Sequence, residues 1–381
     1  MEPLAHVLLT YLLHSSLLLG LASLLCLLLR ERHLALQEAA LRAALLGGFL
    51  TAGLSTGLGL QPLLGTIDLA APAPAAIDAG TTTESPLEGE ASVVAPAVAL
   101  PPSAATIERG APTVTPAPAS AWPWTHVLAV AWGALALLGL ARLASAGLRL
   151  RRLLHDRSAL SDHALAASAR AAGEALGLAS GPRLSLAPRL AVPIATGLWR
   201  PEVCLPPRAL AELGRDEQLA LCAHELAHVA RRDPAWLLLA RLAEALAPLQ
   251  PLNRWARGRL QDLAECLSDD LAVAATRRAH GLARSLVDVA AWSLPDDRWE
   301  PAAAVGALSV RSRLGHRVER LMDPWRTLEL PRRFVFPAAL AFALAVAFVA
   351  PAFSSDTPQP GPTPAPAEDD LLPEDELPPP E

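Results

Sequence analysis

Apolar residues in this chain gather into long blocks, and the lengths of those blocks set the architecture before any single residue is weighed. Residues 4–29 hold no formally charged side chain and, as a helix, reach across roughly 30 Å of hydrocarbon. The start of this block lacks the basic residues of a secretory signal, and Arg30, Glu31 and Arg32 follow it instead, so it reads as a retained anchor. A second block, about 43–64, is interrupted by Gly47, Gly48, Gly53, Gly57 and Gly59, small residues that let helices approach closely inside a membrane. A third, 125–148, follows Trp122 and Trp124, which stand where an interfacial aromatic anchor belongs, and ends in Arg149, Arg151 and Arg152. A fourth runs from Phe334 to about Phe353 behind Arg332 and Arg333.

Between the second and third blocks, residues 65–121 are Pro, Ala, Thr and Ser with sparse acids. That composition cannot bury a core and predicts a disordered loop, as does the acidic, Pro-rich tail 354–381. Only 150–332 mixes polar and apolar residues enough to fold as a domain. The expected fold is therefore mainly α: two transmembrane helices in 1–64, a third in 122–149, a fourth in 333–353, and an α+β domain inserted between spans three and four. Arg residues flank the spans at 30–42, 149–157 and 332–333, whereas the long loop has one and the tail none. This bias predicts N-out and C-out, with 150–332 cytoplasmic.

Composition sharpens this picture. The chain is 52% hydrophobic and 18% charged, too oily for one soluble domain. All its basic residues other than His are Arg, and the net charge of -6 leaves no nucleic-acid footprint. Cys26, Cys204, Cys222 and Cys266 show no C-x-x-C spacing, so they predict small core residues rather than disulfides or a thiolate metal site.

Chemistry concentrates in a helix predicted over 215–232. His224 and His228 are four apart, which stacks both imidazoles on one helical face. With Glu225 beside the first, the run is H-E-x-x-H, two zinc ligands and a general base. The competing reading makes the two His ordinary surface residues paired with Glu225 or Asp233. Past an apolar helix at 235–247, Glu265 and Asp269 again lie one turn apart. Glu265 is the expected third ligand of one Zn2+ per chain, and Asp269 the group that holds a ligand imidazole by its other ring nitrogen. A solvated acidic helix end is the alternative, and Asp262 and Asp270 compete locally for these roles. The 192–206 stretch reads as two short β segments punctuated by Pro193, Gly197 and Pro201. Such an edge could pair with an extended peptide or merely cap the fold. The only Tyr is Tyr11, in the first span, so an oxyanion donor would have to be His280, His316 or an Arg. His280 more simply reads as a solvated helix end, and His316 as part of an Arg-rich stretch at headgroups.

These segments together resemble the integral-membrane zinc metallopeptidases of the BlaR/MecR antirepressor type. The resemblance rests on H-E-x-x-H-x-x-x-x-D at His224–Asp233, an N-P-x-x-W-like turn at Pro251–Trp255, E-x-x-x-D at Glu265–Asp269, and a Pro- and Gly-punctuated segment from Val192 to Pro206. It places Asp233 beside the ligands and implies a zincin-like (gluzincin) domain in a bacterial inner membrane. It also implies a protein substrate, a cytoplasmic winged-helix repressor, with self-cleavage, in signal transduction. The β-lactam sensors of that family carry a penicillin-binding-like domain after the last span, whereas about 28 residues follow it here, so direct β-lactam sensing is not expected. A heat-shock-type quality-control peptidase shares the ligand set. A non-catalytic scaffold would not need Glu225, and a transporter finds few charges in the spans.

Overall fold

The computed structural model describes residues 2–57, 63–68, 124–179, 181–292, 313–324 and 334–354. Among these residues three helices are long and apolar enough to cross a membrane, and they lie in α1 (Glu2–Leu29), α2 (Leu34–Gly57) and α3 (Trp124–Leu153). The fourth expected span is represented by α11 (Val335–Val349), whose 15 residues rise only about 22 Å. Pro351 explains the early stop. The residue before a proline is pushed out of the helical region, Ala350 turns to φ -70, ψ 140, and Ala352–Ser354 becomes strand β6 instead of more helix. Helix α2 differs in the other direction, starting nine residues before its apolar block and so taking in Glu38 and Arg42. Glu38 is buried, Arg42 is largely enclosed, and the two are paired, which offsets part of the desolvation cost that made the block start look later.

Gly47 and Gly48 set the spacing around α2. A Cβ on Gly48 would stand 2.8 Å from the Ser15 Cβ of α1, and one on Gly47 would stand 2.9 Å from the Ala343 Cβ of α11. Helix α3 stands more apart, fixed to α7 (Asp233–Leu246) by the Trp132 indole donating to the Leu246 carbonyl at 2.7 Å. Short β1 (Thr66–Asp68) pairs in parallel with β6, in place of the start of the disordered loop expected from residue 65. The rest of that loop from 69, Trp122 and the tail from 355 lie outside the described residues.

The segment between α3 and α11 is α+β. A four-stranded sheet runs β2 (Ser158–Ala159), β3 (Arg183–Leu186), β5 (Glu202–Leu205), β4 (Ile194–Thr196). Strands β3 and β5 are parallel, and β4 lies antiparallel to β5 at the edge. The two β segments expected in 192–206 are β4 and β5, and the turn between them needs Gly197, which sits at φ +88 with its Cβ position 2.2 Å from the Arg200 carbonyl oxygen. Central β5 is buried along its whole length. Its Glu202 carboxylate is satisfied by Arg157 Nε at 2.9 and 3.0 Å and by the Ser185 hydroxyl at 2.5 Å.

Helices α4 (His163–Ala175), α5 (Pro207–Glu212), α6 (Arg215–Arg231), α7, α8 (Pro251–Thr276), α9 (Ala279–Trp292) and α10 (313–322) complete the domain. One apolar core joins α4, β5, α6, α9 and Leu321 of α10 around Val203, Leu226 and Leu282. A second joins α1, α2 and α11 to α7 and α8 around Leu19, Leu41, Leu263 and Leu267. Helix α8 belongs to both, since Ala272 lies in the first core. The four cysteines are buried and unpaired, as their spacing predicts.

Candidate metal centre

Helix α6 is bounded by clear local signals. At its start the Gly214 N–H donates to Glu217 Oε2 at 2.7 Å, and at its end Arg232 adopts the left-handed conformation, φ 57. Pro234 then opens α7 in the first turn, where its missing N–H costs nothing. This corner matters for the chemistry. On a continuous helix a residue five after His228 would point about 140° away from it. The reversal at Arg232 instead brings Asp233 Oδ2 to 2.9 Å from His228 Nδ1.

The other ring nitrogen of each His faces inward. His224 Nε2 and His228 Nε2 are 3.1 Å apart, and Glu265 of α8 places Oε2 3.5 Å from the first and Oε1 3.8 Å from the second. Ligand distances near 2.0–2.1 Å around a tetrahedral ion imply donor separations of about 3.3 Å, so His224, His228 and Glu265 fit one ion and could hold a metal. Asp269 Oδ1 stands 2.9 Å from His224 Nδ1, a charge contact rather than a well-aligned hydrogen bond. Asp270, one residue on, faces Arg320 at 2.5 Å, and Asp262 lies 3.3 Å from Arg313. Of the local competitors, then, neither meets the two imidazoles.

Two residues without any spacing signal join the cluster. Ser268 Oγ lies 3.1 Å from His228 Nδ1 and donates to Asp233 Oδ2 at 3.4 Å. Arg317 of α10 forks onto Asp269 with Nε and Nη2, each 2.8 Å from a carboxylate oxygen, and reaches Glu265 Oε2 with Nη1 at 2.8 Å. Among the three groups considered for an oxyanion donor, only an Arg, Arg317, reaches the centre. His280 is exposed, and His316 lies 3.6 Å from Glu31.

The electrostatics follow from this burial. Burial alone would lower the His224 pKa, but Asp269 and Glu265 outweigh it and push it up to about 10. A bound metal must displace that proton. Burial works to raise Asp269 and is overcome by Arg317 and His224, which pull it down to about 2. Glu225, buried beside the two His, is raised by burial against their opposing pull. The backbone N–H of Ala195 in edge strand β4 faces its carboxylate, so the open edge of the sheet runs next to an acid outside the His224, His228 and Glu265 set.

Asp269→Asn keeps the shape but removes the charge that orients His224. Loss of such an outer partner costs roughly 10–100-fold in metal affinity. The expected result is a weaker centre by that factor in competition with a chromophoric chelator; unchanged affinity would remove Asp269 from this role.

A family model described as BlaR1 peptidase M56 matches residues 68–321, about two-thirds of the chain and every residue of this cluster. No curated protein matches the chain.

Proposed function

The chain belongs to the BlaR1 peptidase M56 family, and from that premise we propose that it is a zinc metalloendopeptidase of the membrane that cuts a cytoplasmic protein. The observation that carries this reading is the convergence of His224, His228 and Glu265, with Glu225 beside them and free of that set. Two imidazoles and a carboxylate with a position left for water are the donor set of catalytic zinc.

When bound, zinc supplies Lewis-acid polarisation of the scissile carbonyl and makes a water easier to deprotonate. The chain's own residues do the rest. Glu225 accepts the proton of the attacking water on its carboxylate and returns it to the leaving amine. Its carboxylate is buried beside the two imidazoles and faces the Ala195 backbone of β4, which keeps it next to the site of attack. Asp269 and Asp233 keep the Nε2 atoms of His224 and His228 aimed at the metal. Strand β4 offers an unpaired edge among the described strands, along which an extended substrate can add by backbone hydrogen bonds. A cavity of about 550 Å³ reaches the ligand Glu265 and Arg317 and is lined elsewhere by Leu34, Leu286, Leu314 and Arg313, which provides room for substrate side chains next to Glu265.

The remaining parts of the proposal extend the same reading. Helix α11 with the residues to Phe353 serves as the fourth span, the chain is N-out and C-out in a bacterial inner membrane, and the domain at 150–332 is cytoplasmic. The substrate is a winged-helix repressor, with self-cleavage as a second event. Incubating the purified full chain with candidate repressors, with and without chelator, tests this: the expected result is one discrete, chelator-sensitive cut. Indiscriminate degradation of unfolded membrane proteins would move the chain to quality control, and failure of the zinc-loaded protein to cut any of them would overturn the peptidase reading.

A further inference from the structure

Asp233, which fixes the ring of His228, is itself fixed by a side chain from α2, 191 residues away in sequence. Arg42 Nη2 donates to Asp233 Oδ1 at 3.1 Å and to Glu38 Oε1 at 2.8 Å. Arg231 Nε donates to Asp233 Oδ2 at 3.0 Å, and its guanidinium also pairs with Glu38. The side chains of Arg42, Glu38, Arg231 and Asp233 are 14%, 7%, 4% and 3% exposed. Two cations and two anions so enclosed balance each other, and deleting one alone strands a buried charge. Peptide hydrolysis requires neither Glu38 nor Arg42, and neither contacts the three candidate ligands.

The division of labour at Asp233 gives Arg42 a specific role. Oδ2 faces His228, Arg231 and Ser268, whereas Oδ1 faces Arg42. A carboxylate held at one oxygen alone can swivel about its Cβ–Cγ bond; held at both, it keeps Oδ2 on the His228 Nδ1. Arg42 is in turn seated on other elements. Its guanidinium lies 4.6 Å over the Trp236 ring of α7, and Trp236 meets Phe336 of α11 edge-on with centroids 5.2 Å apart. Helices α2, α7 and α11 therefore converge on the group that orients a ligand.

We propose that Arg42 is a positioning residue for His228, acting through Asp233 with Glu38 as its counter-charge, so that the placement of helix α2 sets how firmly the centre holds its metal. This rests on the assignment of His224, His228 and Glu265 as ligands. A shift of α2 against α7 that lengthens the Arg42–Asp233 contact loosens the His228 ring without touching Glu225 or the edge of β4, which makes α2 a lever on the centre.

The test uses the full chain in detergent, with metal affinity measured by chelator competition and the ligand field read from the absorption spectrum of the cobalt-loaded protein. The variants are Glu38→Gln with Arg42→Gln, which removes one charge of each sign, Asp233→Asn, and the three changes combined. The paired Gln variant is expected to lose about 10–100-fold in affinity, as an outer partner of a ligand does, and to shift the cobalt bands. Combining it with Asp233→Asn should add nothing beyond Asp233→Asn alone, because Arg42 acts through that carboxylate. Wild-type affinity and spectrum in the paired variant, or losses that simply add, would overturn the proposal. Should the paired variant fail to fold, Arg42→Lys decides: Lys keeps the charge but not the planar fork, so a several-fold weaker centre is expected and wild-type behaviour overturns. Full metal occupancy after His224→Ala would instead count against the ligand assignment and leave the Arg42 geometry as it stands.

Discussion

Glu225→Gln is expected to keep a full complement of metal and to lose cleavage by about 10²–10⁴ in kcat, the range a positioned acid–base group contributes. Gln matches Glu in shape, so the packing of this buried side chain within α6 survives. What it cannot do is accept and return a proton. Metal content by elemental analysis and turnover on the same sample separate the two effects. The physical basis is the division within H-E-x-x-H: His224 and His228 bring their Nε2 atoms 3.1 Å apart, while the Glu225 carboxylate lies outside the three-residue cluster, facing the Ala195 backbone. Equal cleavage by variant and wild type would remove Glu225 as the base and with it the proposed mechanism.

His224→Ala should have the opposite signature, with metal and activity lost together. The His224 side chain is 4% exposed and set between Asp269 on one side and His228 and Glu265 on the other. Its removal leaves one imidazole and one carboxylate, and the affinity loss should exceed the roughly 10–100-fold that an outer partner is worth. The vacated space also leaves Asp269 forked to Arg317, so that carboxylate retains a partner and the fold is not left with a stranded charge. Elemental analysis after gel filtration checks this. A full equivalent of metal in the variant would take His224 out of the ligand set.

Several features were legible from spacing alone. The three long apolar helices follow from hydrophobic blocks of spanning length, although α2 starts nine residues before its glycine-interrupted block, because a helix of that length needs no other partner to satisfy its backbone in lipid. The bounds of α6 match the expected 215–232 to within its cap, since Gly214 and the Arg232–Asp233–Pro234 corner are local signals. The i,i+4 rule put His224 above His228, and Glu265 above Asp269, on their own helices. The end of α11 was less legible, since its apolar block continues past the Pro351 that stops the helix.

Other features depended on contacts that no local period encodes. Asp269 and Asp270 are neighbours in sequence, yet about 100° of helical rotation sends one to His224 and the other to Arg320, a choice fixed by how α8 packs between α6 and α10. Arg317 reaches the centre from 48 residues beyond Asp269, and Arg42 from 191 residues before Asp233. The sequence by itself determined a membrane chain with a metal-binding motif, because hydrophobic length and helical periodicity are properties of single segments. Only the tertiary structure decided which charges surround that motif, because a buried ion pair forms between whichever side chains the packed cores bring face to face, and its strength depends on the water those cores exclude.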